Sequence, residues 1–206
     1  YHEAGHAISS YYLDNQDPVT HISIVPRGRA AGFTLYTPEQ DKMHMMKSRM
    51  LDDIVSLLGG RVAEKIIFGD ISTGASNDIQ RATEIARNMI TKYGMSEKLG
   101  PIAFGSDNDE VFLGKNYTHT RNYSENIAAA IDEEVEAIIN NAYKRTETIL
   151  TEHIDQLHLV SKVLVDLEKI DKEQFESLMT TGALPVDKDE APVAEAVENT
   201  ETAETE

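Results

Sequence analysis

The sequence contains no cysteine, which excludes disulfide bonds, thiolate nucleophiles and cysteine-ligated metal sites. Histidine, aspartate and glutamate remain as the strong metal ligands. Lysine and arginine are scarce, with 19 of them against 36 aspartates and glutamates, and the formal net charge is −17. Because binding to a phosphate backbone depends on clusters of lysine and arginine, we do not expect nucleic acid as a partner.

Long apolar runs are missing as well. No stretch approaches the roughly 18 consecutive apolar residues of a membrane helix, and no signal peptide is recognisable. No G-x-x-x-x-G-K-[ST] sequence occurs, so we do not expect this chain to bind or hydrolyse ATP. What is present is an ordinary globular composition, 40% apolar and 27% charged over 206 residues, which is enough for one sizeable core.

The opening segment from Tyr1 to His6 contains the motif H-E-x-x-H, which is typical of a zinc site built on one helix. Residues four apart lie on the same helix face, so His2 and His6 can direct ring nitrogens at one cation. Glu3 is rotated by about 100° from His2 and can instead reach a water that the metal activates. Since so short a pattern also arises by chance, a zinc enzyme requires a third protein ligand elsewhere in the chain.

Apolar periodicity predicts a mainly α fold with a small β-hairpin beside the helix that carries this motif. The predicted helices cover residues 1 to about 15, 41–68, 79–93, 124–153, 157–167 and 171 to about 179. The predicted strands cover 19–26 and 31–36, and residues 95–119 are predicted to be mostly loop. An exposed edge of such a hairpin can pair with an extended peptide, although a purely structural hairpin explains the same pattern.

Glycines occur in the middle of two predicted helices. Gly5 in the first helix costs about 1 kcal/mol relative to alanine, which indicates that something packs closely against it. Gly59 and Gly60, in the middle of the second helix, permit either a kink or a very close helix crossing.

Asp78 follows Ser76 and Asn77 in a turn-rich stretch that leads into a helix. A helix N-terminus favours oxygen-bearing caps and an acid near the positive end of its dipole, so these residues have a structural explanation. Alternatively, Asp78 is the third metal ligand and is held by the start of this helix. The spacing alone leaves both interpretations open.

Five stretches carry a family resemblance: YHEAGHAI, GFTLY, LGGRVAEKIIFG, STGASNDIQRATEIARNMI and YGMSEKLGP, in this order. From Tyr1 to about Leu184 the chain resembles the peptidase domain of FtsH, the family of membrane-anchored, ATP-dependent zinc proteases. The resemblance implies a helical, zincin-like metalloprotease domain over residues 1–184, followed by an acidic tail over 185–206. Residues 186–206 have eight acids, one lysine and too few apolar residues to fold, so we expect this tail to be disordered.

Carried over by position, the family's zinc ligands fall on His2, His6 and Asp78, and its catalytic glutamate falls on Glu3. Glu64, in the GGRVAE stretch, is a further acid that could lie near the metal. We expect it to be a hydrogen-bond partner of a ligand or a helix-packing residue, with direct ligation as the remaining alternative.

The resemblance also implies the setting of the domain. One zinc ion per chain is expected, whereas ATP would be used only through an upstream ATPase domain. The abrupt start at Tyr1 indicates a fragment whose upstream ATPase and membrane segments are missing, so membrane contact is expected only through those segments. Expected partners are unfolded polypeptide substrates and, at the cytoplasmic face of the bacterial inner membrane, the other subunits of a homo-hexamer. Two other functions stay open, a non-catalytic assembly scaffold and a stand-alone zinc endopeptidase.

Overall fold

The computed structural model describes residues 1–28, 31–38, 43–104 and 123–185. Within these residues, the elements in chain order are α1 (His2–Tyr11), β1 (Val19–Ser23), β2 (Phe33–Tyr36), α2 (Lys47–Phe68), a 3₁₀ turn (Thr73–Ala75), α3 (Ser76–Thr91), α4 (Glu125–Glu152), α5 (Ile154–Leu167), β3 (Lys169–Asp171) and α6 (Lys172–Thr181). The prediction of a mainly α fold with a small sheet is confirmed. None of the helices in this described part combines the length and the apolar character that a membrane span requires.

The central element of the fold is α1. It packs against α2, α4 and α5 and against strands β1 and β2, and all of its residues from Ala4 to Ser10 are buried. The surrounding elements supply the large fully buried side chains of the core, among them Ile22, Ile54, Met89, Ile131, Leu150, Leu157 and Phe175. The helix that carries the H-E-x-x-H motif is therefore enclosed by the core on most of its length.

Two glycines allow α1 and α2 to cross at very short distance. A Cβ atom built at Gly59 would lie 2.5 Å from the carbonyl oxygen of Gly5. A Cβ atom at Gly5 would in turn meet the carbonyl of Gly59 and, at 2.6 Å, the Cβ of Ala63. Because α2 continues from Lys47 to Phe68, the close crossing, and not a break in the helix, explains these glycines.

A buried charge connects α2 to α4. The carboxylate of Asp52 is 2% exposed, and its Oδ1 atom accepts a 2.6 Å hydrogen bond from Nη1 of Arg145. Its Oδ2 atom accepts a 2.8 Å hydrogen bond from Nδ2 of Asn15, in the turn that follows α1. These contacts supply the hydrogen-bond partners that a buried carboxylate needs, and they connect α2, α4 and the turn after α1.

The sheet is antiparallel with the strand order β2-β1-β3, so β1 is central. Ile22 of β1 is paired with Thr34 of β2 on one side and with Ile170 of β3 on the other. The predicted hairpin is present, but β3 was not predicted, because a three-residue strand is too short to show alternation. Within the described residues, β2 and β3 therefore form the two edges of the sheet.

The predicted helix start at Asp171 is confirmed. Its Oδ1 atom accepts a 2.9 Å hydrogen bond from the backbone N–H of Gln174, and the side chain of Gln174 accepts one from the N–H of Asp171. This reciprocal capping box lets the chain pass directly from β3 into α6.

Several predicted boundaries differ from the structure. The first helix ends at Tyr11 and not near Asn15, because the N–H of Leu13 bonds to the carbonyl of Ser10 in a tighter turn. The second helix, predicted from residue 41, begins only at Lys47, because the described residues 43–46 are not helical. The helix predicted to begin at Ile79 begins at Ser76, immediately after the 3₁₀ turn.

Other predictions fall outside the described residues. These are most of the predicted loop over 95–119 and the acidic tail from 186 onward. The domain boundary at residue 184 accordingly stays a prediction.

Candidate metal centre

The two histidines of α1 lie on the same face of the helix, as their spacing predicts. Their Nε2 atoms are 3.1 Å apart, with the rings in an edge-to-face arrangement. Gly60 of α2 lies directly against them, because a Cβ atom at residue 60 would be 2.6 Å from Nε2 of both His2 and His6. The absent side chain at this position leaves the space in which the two nitrogens meet.

Asp78 completes the group from the first turn of α3. Its Oδ2 atom lies 3.5 Å from Nε2 of His2 and 3.6 Å from Nε2 of His6. In a tetrahedral zinc site with ligand distances of about 2.0–2.1 Å, neighbouring ligand atoms are separated by about 3.3–3.4 Å. The triangle formed by these three atoms therefore has the dimensions that a zinc ion requires.

The other ring nitrogens determine how the histidines are oriented. Nδ1 of His2 lies 2.9 Å from Oε1 of Glu64, and Nδ1 of His6 lies 2.9 Å from the backbone carbonyl oxygen of Ser56. Since a carboxylate and a carbonyl can only accept, each Nδ1 carries the proton and each neutral ring turns an Nε2 lone pair toward Asp78. Three acceptors thus converge, and a cation satisfies all of them at once.

The electrostatics of the group agree with this geometry. Burial alone would lower the pKa of His2, but the neighbouring carboxylates of Asp78 and Glu64 outweigh burial and raise the pKa above its ordinary value. Burial would raise the pKa of Asp78, whereas the two neighbouring histidines hold that pKa well below its usual range. Both shifts mean that the group of His2, His6 and Asp78 favours a positive charge among its three facing atoms.

Glu64 connects His2 to the segment that leads into α3. Its Oε2 atom accepts hydrogen bonds from the backbone N–H and the hydroxyl of Ser72, at 3.1 and 3.0 Å. Burial would raise the pKa of Glu64, but these bonds, together with the one from His2, lower it. The hydroxyl of Ser72 also accepts from the N–H of Gly74, and this bond caps the 3₁₀ turn before Asp78. In this geometry Glu64 contacts a histidine and lies outside the group of His2, His6 and Asp78 that could hold a metal ion.

Glu3 lies next to His2 on α1 and is half-buried. Its charge contributes to the raised pKa of His2. Its Oε2 atom accepts a 3.1 Å hydrogen bond from the hydroxyl of Thr34 in β2. The carboxylate of Glu3, which belongs to α1, is thus also hydrogen-bonded to strand β2 of the sheet.

Sequence reasoning missed the contributions of Ser56, Ser72 and Gly60 to this group. Ser56 acts through its backbone carbonyl, which every residue type possesses, so no sequence signal could reveal it. The sequence indicates only a turn at Ser72 and only a bend or close crossing of the helix at Gly60.

Comparison with known proteins places these residues in a family. Residues 1–178 match the model of peptidase family M41. The chain is 57% identical over 178 residues to ATP-dependent zinc metalloprotease FtsH 1 of Thermoanaerobacter sp. (strain X514), a match that covers 86% of this chain and 29% of that protein. It is 50% identical over 186 residues to ATP-dependent zinc metalloprotease FtsH of Bacillus subtilis (strain 168), which covers 90% and 29%.

A third relative is ATP-dependent zinc metalloprotease FtsH of Thermotoga maritima, 49% identical over 181 residues, with 87% of this chain and 30% of that protein covered. The chain therefore spans about 30% of the length of the curated relatives it matches. The resemblance to the FtsH peptidase domain is confirmed by these matches. Because the family model spans most of its length, the chain belongs to peptidase family M41, a family of hydrolases whose members named above are zinc metalloproteases.

Proposed function

We propose that the chain is the zinc-dependent endopeptidase domain of a larger ATP-dependent protease, with His2, His6 and Asp78 as zinc ligands and Glu3 as general base. The observation that carries this proposal is the triangle of ligand atoms, 3.1–3.6 Å on a side, formed by residues from α1 and α3. Two imidazoles and one carboxylate are a common protein ligand set of catalytic zinc and leave a fourth position free.

When bound, a zinc ion supplies Lewis acidity, which lowers the pKa of a water molecule to about 7 and polarises a peptide carbonyl. The chain supplies the rest of the chemistry. Glu64 and the carbonyl of Ser56 hold the Nδ1 protons of the two histidines and thereby keep both Nε2 atoms directed at the metal position. The carboxylate of Glu3 accepts a proton from the attacking water and delivers it to the nitrogen of the leaving amine.

The sheet provides a candidate surface for the substrate. Within the described residues β2 is an edge strand, and its residue Thr34 contacts Glu3. An extended peptide added to this edge would be held by backbone hydrogen bonds beside the general base. Because such bonds involve the main chain, we propose that the domain cleaves unfolded polypeptides with weak sequence preference.

The relatives are named ATP-dependent, which supports the proposal that an ATPase domain belongs to the same protein. We propose that an upstream ATPase domain unfolds and delivers substrates, that the full-length protein is a homo-hexamer, and that upstream membrane segments hold it at the cytoplasmic face of the bacterial inner membrane. In this setting selectivity comes from unfolding and threading, and the peptidase domain itself degrades what it receives.

Two measurements on the isolated chain test the proposal. Anomalous scattering at the zinc edge from crystals grown with zinc is expected to place one ion in contact with His2, His6 and Asp78. Casein hydrolysis is expected to stop on chelation and to return when zinc is restored. A zinc ion bound elsewhere, or hydrolysis that survives complete removal of the metal, would refute the assignment.

A further inference from the structure

The carboxylate of Glu3 is contacted by a second element of the fold. Glu3 is carried by α1, whereas the hydroxyl 3.1 Å from its Oε2 atom belongs to Thr34 of β2. The same hydroxyl lies 3.3 Å from the backbone carbonyl oxygen of Glu3. Both glutamate oxygens can only accept, so the hydroxyl of Thr34 is the donor and its proton is directed at Glu3.

The other carboxylate oxygen of Glu3, Oε1, lies close to the backbone that enters β2. A Cβ atom at Gly32 would lie 2.8 Å from Oε1 and 2.9 Å from Cγ of Glu3, and 2.7 Å from the carbonyl oxygen of Ser23. A side chain at residue 32 would therefore displace either the carboxylate or the backbone of β1. Gly32 leaves the carboxylate the space that it occupies.

Glutamate has several rotatable side-chain bonds, and a helix restrains its backbone but not the position of its carboxylate. A general base must nevertheless lie within about 2.6–3.2 Å of the proton that it takes, or reach it through one water. Some other group must therefore hold the carboxylate of Glu3 in place. Thr34 is the side chain observed in that position.

We infer that Thr34 is a positioning residue for the general base, and that Gly32 provides the space for the position that Thr34 selects. This inference rests on the proposed function, since it takes Glu3 as the base. It has a further consequence for the substrate. Strand β2 would hold the base through Thr34 and would also pair with the peptide along its outer edge. The distance between the base and the scissile bond would therefore be set by this one strand.

A purely structural role for Thr34 would be the attachment of β2 to α1 through the carbonyl of Glu3. Three substitutions separate the two roles. Thr34→Val removes the hydroxyl and keeps the shape, and Thr34→Ser keeps the hydroxyl. Thr20→Val is the matched control, because Thr20 is a threonine of the neighbouring strand that is half-buried, as Thr34 is, and its hydroxyl bonds to Leu35 and Thr37 and not to Glu3.

The zinc-loaded variants are compared in steady-state cleavage of an unfolded polypeptide, together with zinc content and thermal midpoint. Thr34→Val is expected to lower kcat about 10- to 100-fold with KM and zinc content changed by less than about twofold. Thr34→Ser is expected to recover most of kcat, and Thr20→Val is expected to behave like the unsubstituted chain. An unchanged kcat in Thr34→Val, or an equal loss in Thr34→Ser, would overturn the inference.

A second readout does not depend on activity. Crystal structures of the zinc-loaded chain and of Thr34→Val are expected to show the Glu3 carboxylate displaced only in the variant; an undisplaced carboxylate would overturn the inference. Gly32→Ala retains the hydroxyl and is expected to displace either the carboxylate or the backbone of β1 by contact. Thr34→Ala also removes the hydroxyl and is expected to displace the carboxylate, and it carries the test if Thr34→Val does not fold. If the unsubstituted chain shows no zinc-dependent cleavage, the proposed function fails, and the crystal structures still decide whether Thr34 positions Glu3.

Discussion

Gly60 of α2 faces His6 of α1 so closely that a Cβ atom at residue 60 would lie 2.6 Å from the Nε2 atom of His6. The same Cβ atom would lie 2.6 Å from Nε2 of His2. The two nitrogens proposed to bind zinc can therefore converge because residue 60 has no side chain. This relationship gives a direct test of the metal centre from a residue that is not itself a ligand.

Gly60→Ala is expected to lower zinc affinity at least about 10-fold, because the added methyl group displaces the histidine rings. Alanine is the better helix former by about 1 kcal/mol, so helix propensity alone predicts a more stable α2. Titration with a zinc chelator measures the affinity, and circular dichroism checks that the helices remain. Unaltered zinc affinity in this variant would show that the rings do not need the space above residue 60.

Glu3→Gln is expected to retain zinc and to lose peptide cleavage. The amide has the shape of the carboxylate and can still accept from Thr34, but it cannot take a proton from water, a role usually worth about 10²- to 10⁴-fold in rate. Zinc content and casein hydrolysis are measured on the same sample. Undiminished hydrolysis would exclude Glu3 as the base.

Asp78→Ala is expected to lose zinc, because two imidazoles alone leave the ion without the carboxylate that completes the three-ligand set. Metal analysis after dialysis against zinc-free buffer gives the occupancy. Full zinc occupancy in this variant would show that another residue is the third ligand. Glu64, whose carboxylate is hydrogen-bonded to His2, would be the first candidate.

Substitutions at Glu64 distinguish support of a ligand from ligation. Glu64→Ala leaves the Nδ1–H of His2 without its acceptor, and zinc affinity is expected to fall about 10- to 100-fold. Glu64→Gln retains a carbonyl oxygen as acceptor, so a smaller loss is expected. If instead both variants lose zinc as completely as Asp78→Ala, Glu64 binds the metal directly.

Arg145→Met tests the buried carboxylate of Asp52. The substitution removes the 2.6 Å hydrogen bond to Asp52 but leaves the two from Asn15, so we expect a loss of about 1–3 kcal/mol in the free energy of unfolding. Arg87→Met is the matched control, because Arg87 and Asp132 form an ion pair in which both side chains are about half exposed or more, typically worth about 0–1 kcal/mol. Urea unfolding measures the free energy of unfolding of both variants. If the two variants lose the same free energy, burial of Asp52 does not strengthen its contact with Arg145.

The parts of the site that depend on local spacing could be predicted from the sequence. The convergence of His2 and His6 follows from helical geometry, and the fold class follows from apolar periodicity. Asp78 is different, because its approach to the histidines depends on how α3 packs against the rest of the domain. Residue spacing left its role open, and it was assigned by family resemblance alone.

The features that the sequence did not reveal are set by packing between distant segments. The strand β3 consists of Lys169, Ile170 and Asp171, and it is a strand because β1 offers it a partner. The acceptor for His6 is a backbone carbonyl, and the role of Gly60 depends on which helix face meets α1. None of these contacts leaves a periodic pattern in the chain.

Because α1 is buried from Ala4 to Ser10 and also carries two of the proposed ligands, metal affinity and conformational stability share one set of contacts. Any zinc that binds the native chain in preference to the unfolded chain adds a stabilising term that grows with the logarithm of its free concentration. The resistance of this domain to heat, and to cleavage by other copies of itself, would then depend on the free zinc concentration in the compartment in which it works.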